Sequence, residues 1–454
     1  LQAFRVLRLS PQLRKLIFCL LLALVTFATF WRVIENDFIE YDDNEYIFEN
    51  PEVKAGWTAH GFTWAFIGFH CVNYHPLTWL SHMTDCQFFG VNPGAHHLIG
   101  VLIHAVNAVL VLLLVSQLTG KFWRSALVAA LFALHPLRVE SVAWAAERKD
   151  VLCAFFFLLT LLAYLRHVHR QTAGSKLRIG FELRLTLIFY VCALLSKPMA
   201  VTLPVVLLLL DFWPLRRISN LKSQLPNLLF EKWPFFVLSA GFSALAVWSQ
   251  HGTLSKEPFT GLQRASFVIT DYFAYVEKIL WPQNLSFLYE RHGPVPLNHL
   301  LLALAGLLAI SALALGYWRR HPWLLAGWLW FLVMLAPVTL VALNKLSIAD
   351  RYTYLPGIGF SVMLVWSLAE AGGKFFATSI GRLLGSVVAA VVLMLCARQT
   401  QAQIGVWKNS QTLAEHALRL DPENDVAAQI LRIYRFEQEH PGVREKQVPR
   451  NPVP

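Results

Sequence analysis

Apolar runs of about twenty residues recur along almost the whole chain, and charge collects in the short stretches between them. Runs of that length are too long for buried strands and long enough for helices that cross a bilayer. Eleven are predicted as spanning helices, at roughly 16–34, 96–118, 124–142, 149–165, 183–197, 199–214, 233–250, 298–317, 322–343, 355–371 and 377–397. Two stretches depart from the pattern. Residues 61–90 are aromatic and apolar but are interrupted by His70, His75, Pro76, His82 and Asp85, so they read as helices lying along the membrane surface. Residues 262–282 carry Asp271, Glu277 and Lys278 within a helical pattern, with Pro282 and Pro294 beyond, and read as a re-entrant or surface helix. The fold class expected is an all-α polytopic membrane protein with surface helices in its first outer loop and a small helical C-terminal unit.

Charge assigns the sides. Arg5, Arg8, Arg14 and Lys15 precede the first run, which puts the N-terminus inside. The strongest basic loop holds Arg166, His167, His169, Arg170, Lys176 and Arg178, and falls inside after the fourth run. An odd number of spans leaves the C-terminus outside. Composition agrees: 56% of the 454 residues are hydrophobic and 15% charged, against about 25% charged in soluble domains. The net charge of +11 needs no nucleic acid, because cytoplasmic loops collect Lys and Arg. The first run lacks a small-residue cleavage site and reads as an uncleaved anchor, and the opening Leu1 suggests that the natural start lies upstream. Residues 1–397 are expected to form the membrane domain, with 35–95 its first outer loop and 251–297 an outer re-entrant or surface region. Residues 398–436 form one helical unit, in which Trp407, Leu413, Ala417, Leu418, Leu420, Asp421-Pro422, Asn424 and Ala427 resemble a single tetratricopeptide repeat. Residues 437–454 are Pro-rich and charged, and are expected to be disordered.

Candidate chemistry starts in the first outer loop. Residues 35–50 carry seven carboxylates and no Lys or Arg, centred on Asp42-Asp43 between Tyr41 and Tyr46. A carboxylate at a membrane rim can serve as general base for an acceptor hydroxyl; otherwise the loop is a solvated acidic stretch that helps set topology. The outer ends of the spans add His75, His96, His97, His135, Arg138, Glu140, Glu147, Arg148, Lys149, Asp150, Lys197, Lys345, Asp350, Arg351 and Tyr352. Charges at membrane depth tend to face a wet cavity with a task. Carboxylates on one side and cations on the other suit removal of a group from a phosphate, although interfacial ion pairs would give the same composition. Lys197 stands alone between two apolar runs and reads as an anion binder; Arg351 either grips phosphate or pairs with Asp350. Cys71 and Cys86 share the outer loop and could form a disulfide in an oxidising compartment. The histidines match no strong metal-ligand pattern, so no cofactor is firmly predicted and a divalent metal is the minor alternative.

These motifs are familiar in their order. Tyr41-Asp42-Asp43 with Ile47, Asn50, Pro51 and Val53 resembles the first-loop signature of the TMTC family, the transmembrane and tetratricopeptide-repeat O-mannosyltransferases, and of their prokaryotic relatives. Tyr74-His75-Pro76-Leu77-Thr78, His96-His97, His104, Asn107, His135-Pro136, Glu140, Arg148-Lys149-Asp150, Lys197 and Arg351-Tyr352 through Pro356 continue the resemblance. It implies a GT-C-type glycosyltransferase fold. It implies an inverting enzyme that takes a sugar, mannose in the family, from a polyprenyl-phosphate donor. The acceptor is a hydroxyl, on protein Ser/Thr or a glycan, at the outer or lumenal face. Asp42 or Asp43 would be the base. Arg148, Lys149, Lys197, Arg351 and Tyr352 would bind the donor phosphate. His75, His96, His97, His135, Arg138 and Glu140 would shape the sugar and acceptor pocket. Eukaryotic members carry long repeat arrays and this chain has at most one unit, which leaves the acceptor open. The His-rich first loop is closer to prokaryotic members and implies a bacterial inner membrane with a periplasmic site. A transporter or flippase of lipid-linked sugars and a non-catalytic membrane scaffold are the alternatives.

Overall fold

The computed structural model describes residues 10–172, 176–218, 221–249, 259–341 and 348–440, which are helical with no strand among them. The Lys345 assignment and the tail beyond residue 440 lie outside the described residues.

Local sequence signals set many of the helix starts. Ser10 Oγ accepts from Leu13 N at 3.1 Å ahead of Pro11, opening α1 (Pro11–Phe30). His75 precedes Pro76, the first residue of α2 (Pro76–Phe89). Asn92 caps Ala95 N at 3.0 Å and opens α3 (Pro93–Thr119), which ends at Gly120 in the left-handed region. The bundle continues through α4 (Phe122–Leu134), α5 (Arg148–Thr172), α6 (Lys176–Ser196), α7 (Leu203–Phe212) and α8 (Trp233–Ser249). Then follow α9 (Gly261–Leu280), α10 (Leu297–Tyr317), α11 (Pro322–Val341), α12 (Pro356–Ala371) and α13 (Ser379–Val406). A polar hairpin, α14 (Ser410–Leu420) and α15 (Asp425–Glu439), completes the described chain.

Each of the eleven predicted spans coincides with helix, but not each is a full-length span. Six stretches are long and apolar enough to cross a membrane: Gln12–Glu35, Pro93–Thr119, Ala145–Gln171, Leu297–Tyr317, Pro322–Thr339 and Ser379–Val406. Two bent pairs raise the number to as many as eight, while Pro198–Phe212 and Pro356–Ala371 are shorter. The run at 124–142 breaks by 58° at His135, because Pro136 has no N–H to continue the helix. That break turns Arg138 and Glu140 into the site described below.

Helices α3 and α5 occupy the centre, whereas α1, α10 and α13 lie at the periphery. Leu301, Leu308, Leu383 and Val388 face outward from the peripheral helices. An apolar exterior of this extent suits lipid rather than water, and the chain is a multi-pass integral membrane protein. Helices α11 and α12 approach closely because both carry glycine at the contact. A Cβ on Gly327 would lie 2.5 Å from the Gly359 carbonyl oxygen, and one on Gly359 would lie 2.5 Å from Trp330 Cγ.

The two ends of the bundle each hold a buried ionic network. At the end carrying Arg166 and Arg217, Asp211 accepts from Lys232 Nζ at 2.6 Å, Arg217 Nη1 at 3.0 Å and Tyr164 OH at 2.8 Å. Arg217 therefore contributes its side chain to the interior of this end. The other end carries the first loop and the candidate site.

Candidate functional site

The acidic loop is built as a rigid turn, and its two central aspartates do different things. Asp43 is fully buried. Its Oδ2 accepts from Ile39 N at 2.9 Å and its Oδ1 from Ala146 N at 2.7 Å. Both oxygens are thus committed to backbone, one within the loop and one on the segment leading into α5. Burial pushes the Asp43 carboxyl up to about 8, against these two N–H donors, which pull it down. Asp42 is only half-buried and sits at φ +67°, a conformation that non-glycine residues adopt at a cost. The turn at Asp42 is what separates the two side chains.

Trp144 connects this loop to the cations. Its Nε1 donates to the Tyr41 carbonyl at 3.0 Å, and its ring lies 5.4 Å from that of Tyr41 and 5.7 Å from Trp407. The Arg351 guanidinium stands 5.3 Å over the Trp144 ring and Lys149 Nζ 5.8 Å over it. Asp42 is bracketed by Tyr41 and Asp43, which bond Trp144 and Ala146, the residues just ahead of Glu147. Burial raises the Tyr46 hydroxyl, with Lys149 pulling it down and Asp42 pushing it up, so both charges lie near that ring.

Glu147 is the hub of the cluster. Lys149 Nζ lies 3.1 Å from its Oε1, Lys197 Nζ 3.0 Å from its Oε2, and Arg351 Nε 3.3 Å from its Oε1. Lys197 also pairs with Asp150 Oδ1 at 2.6 Å. Arg351 donates its backbone N–H to Glu140 Oε2 at 2.8 Å and pairs through Nη1 with Glu140 Oε1. The Lys197 Nζ and the Arg351 guanidinium both stand over the Tyr352 ring, at 5.7 and 4.8 Å. Burial alone would lower the Lys197 ammonium, but Asp150 and Glu147 more than offset it and its pKa is raised. Three cations and three carboxylates interlock in this way, rather than facing each other across a divide as the composition suggested. Lys197 is not alone, because two residues of α5 and its approach reach it. Asp350 does not pair with Arg351; it accepts from Tyr289 OH at 2.9 Å, and burial pushes it up to about 6.

The remaining predicted residues divide. His75 is buried, and burial lowers it well below its ordinary value, with Lys149 and Lys197 acting in the same direction, so it belongs to the cluster. Arg138 lies 5.6 Å from the Phe132 ring and 5.5 Å from the Tyr354 ring, and its Nε and Nη1 have no hydrogen-bond partner among the described residues. His135 caps the break after α4, accepting from Leu137 N at 3.3 Å while its Nε2 meets the Ile279 carbonyl at 3.0 Å. His97 Nε2 reaches the Asp37 carbonyl at 3.4 Å. Arg148 turns away from the cluster. It donates to Asp85 Oδ2 at 2.8 Å, the His96 carbonyl at 2.5 Å and Ser81 Oγ at 3.0 Å, leaving little of it for a phosphate. His96 sits with it, bonded through Nδ1 to the same Asp85 oxygen at 2.9 Å.

Reading the charges in sequence did not reveal Trp144, and it placed Tyr46 only as a flank of the aspartate pair and Trp407 only in the repeat-like unit. The available signal for Trp144 was its position, since only Ala145 and Ala146 separate it from Glu147-Arg148-Lys149-Asp150. The C-terminal unit braces the acidic loop directly: Asp37 N donates to the Lys408 carbonyl at 2.9 Å and Glu40 N to Ser410 Oγ at 2.8 Å. Cys71 and Cys86 are free thiols.

No family model matches the chain, and no solved structure matches it. Curated proteins do. It is 25% identical over 460 residues to human protein O-mannosyl-transferase TMTC1, covering 89% of this chain and 51% of that protein. It is 27% identical over 464 residues to human protein O-mannosyl-transferase TMTC4, covering 88% and 61%. It is 29% identical over 269 residues to mouse protein O-mannosyl-transferase TMTC2, covering 58% and 32%. The chain therefore spans between about a third and three fifths of the length of these relatives. Similarity to three TMTC types, extending over as much as 89% of the chain, supports membership of the TMTC-type family.

Proposed function

We propose that the chain is an inverting glycosyltransferase of GT-C type that moves a sugar from a polyprenyl-phosphate donor to a hydroxyl acceptor. The carrying observation is that Asp42, half-buried and held at a positive φ, lies between Tyr41 and Asp43, which are bonded to Trp144 and Ala146 just ahead of Glu147, the carboxylate on which Lys149, Lys197 and Arg351 converge. In this reading Asp42 removes the acceptor proton as the hydroxyl attacks the anomeric carbon. Lys149, Lys197 and Arg351 hold the departing lipid phosphate, exchanging part of their pairing with Glu147 for the phosphate oxygens. Asp43 keeps the loop and the approach to α5 in register. Trp144, Tyr352 and His75 form the walls. Arg138, with two unpartnered guanidinium nitrogens, is placed to meet a sugar hydroxyl or phosphate oxygen.

The names of the relatives point to mannose as the sugar and protein as the acceptor. Placement at the outer face of a bacterial inner membrane, with the N-terminus inside, follows from charge distribution and the His-rich loop.

A flippase has less support. Its discontinuous helices would break at mid-depth around a substrate. Here one break falls at His135 beside the site cluster and the other at Lys232 beside Asp211, the last turn of α7. Incubating the purified protein with a panel of polyprenyl-phosphate sugars and following release of the lipid phosphate tests the reading. Release from at least one donor that depends on an added peptide or glycan acceptor is expected; a protein that moves such lipids across vesicles without cleaving any of them would replace the reading with the transporter.

A further inference from the structure

We infer that His82, Asp85 and His96 form a site for a transition-type divalent cation of the zinc class, in the first loop behind the cation cluster. Each of the three offers one donor atom such that all lie within 4.8 Å of one another, and all three residues are buried. His82 carries the argument. It is fully buried, and neither ring nitrogen has a hydrogen-bond partner among the described residues. A buried imidazole left unsatisfied at both nitrogens costs free energy with no return unless something binds there. Its ring faces that of His96, with centroids 5.5 Å apart. His96 donates its Nδ1–H to Asp85 Oδ2 at 2.9 Å and directs Nε2 toward Cys86 Sγ at 3.8 Å. With its proton on Nε2, His96 would offer Nδ1 to the ion that His82 and Asp85 share.

The donor set selects the metal. Two imidazoles and a carboxylate suit zinc and its neighbours, and suit magnesium or calcium poorly. Bonds near 2.0 Å in a tetrahedral shell place donor atoms roughly 3.3 Å apart, so the three side chains need only contract slightly. Arg148 opposes the cation, since its Nη2 lies 2.8 Å from Asp85 Oδ2. That oxygen serves the guanidinium, and Oδ1 is the one that would meet the metal. Such an ion would tie α2 to the first turns of α3 and to Arg148 at the start of α5. Its role is to position Lys149 and Asp150, which follow Arg148 directly, rather than to touch substrate.

The test is metal analysis of the detergent-purified full chain, prepared without chelator and then dialysed against a zinc-buffered solution. About one zinc per chain is expected, with loss of that zinc on chelation lowering the melting temperature. His82→Gln should lose at least about tenfold in zinc occupancy, while His60→Gln, at an exposed histidine of the same loop, should keep it. Should His82→Gln fail to fold, Co²⁺ loaded into the unmodified chain supplies the readout, as visible d–d bands of a site with nitrogen ligands. A chain that takes up less than about a tenth of an equivalent of either metal, or a folded His82→Gln chain that keeps the full complement, overturns the site.

Discussion

Asp42 and Asp43 are adjacent in sequence and opposite in duty. The account assigns proton removal to Asp42, so Asp42→Asn should lower the turnover of sugar transfer by about 10²–10⁴ with an unchanged melting temperature. Asp43→Asn should do the reverse. Asn presents an NH₂ where one of the two backbone donors, Ile39 N or Ala146 N, now finds an oxygen. A loss of about 1–3 kcal/mol is expected from the unsatisfied donor, read as an earlier thermal or denaturant transition. Equal behaviour of the two variants in both assays would remove the distinction. The sequence made the pair conspicuous but left the choice open, because the deciding facts are non-local: Ala146 lies 103 residues away from the carboxylate it bonds. The same holds for Lys197. It looked alone because Glu147 and Asp150 are 50 and 47 residues distant along the chain. Arg148 misled in the other direction, since its neighbour Lys149 turns into the cluster while it turns toward Asp85.

At the scale of elements, hydrophobic periodicity located the helices well and their ends less well. The predicted span over 124–142 was drawn through Pro136, where the apolar run continues but the hydrogen-bond ladder cannot. The helix at 261–280 was legible from its pattern, and Thr260 with Gln263 opens it as a capping box. The close contact of α11 and α12 was hidden, because glycines in an apolar run look like any other small residue. Gly327→Ala should be destabilising by about 1–3 kcal/mol, since its Cβ meets backbone that cannot step aside. A melting temperature equal to that of the unmodified protein would contradict this packing. A second element-scale prediction concerns the hairpin. His292 Nε2 lies 2.8 Å from Asp421 Oδ2 and Nδ1 3.7 Å from Glu423, and the hydrogen bond to Asp421 raises it above its ordinary 6.5. A raised histidine contributes stability that is complete below about 6.5 and is lost as pH rises through its folded-state value. Backbone hydrogen exchange in α14 and α15 should therefore quicken between pH 6 and pH 8.5 beyond the intrinsic base-catalysed increase, and His292→Gln should abolish the excess.

The whole molecule is a membrane bundle whose one end is closed by polar loops drawn from distant parts of the sequence. The first loop, the 135–150 connection, the Lys197 turn, the 348–356 segment and the end of α13 all meet there. Composition and span length were enough to establish the class of protein, because lipid imposes that pattern on any helical bundle. The assembly of the site was legible only as a list of charges, since which of them touch depends on helix order around the bundle. The C-terminal unit shows the same limit. It was read as one repeat-like helical unit following the membrane domain, yet Trp407 is buried and lies 5.7 Å from Trp144. Removing residues 407–440 should therefore abolish transfer by loosening the acidic loop, even if no partner binds the hairpin, and limited proteolysis of residues 35–50 would report the loosening.

The most direct measurement pairs the unmodified protein with Asp42→Asn in proteoliposomes containing polyprenyl-phosphate mannose and a Ser/Thr peptide. Lipid phosphate and glycosylated peptide should appear together in equal amounts with the unmodified protein, and the folded variant should give neither above background. Sugar transfer by Asp42→Asn at the unmodified rate would contradict the account.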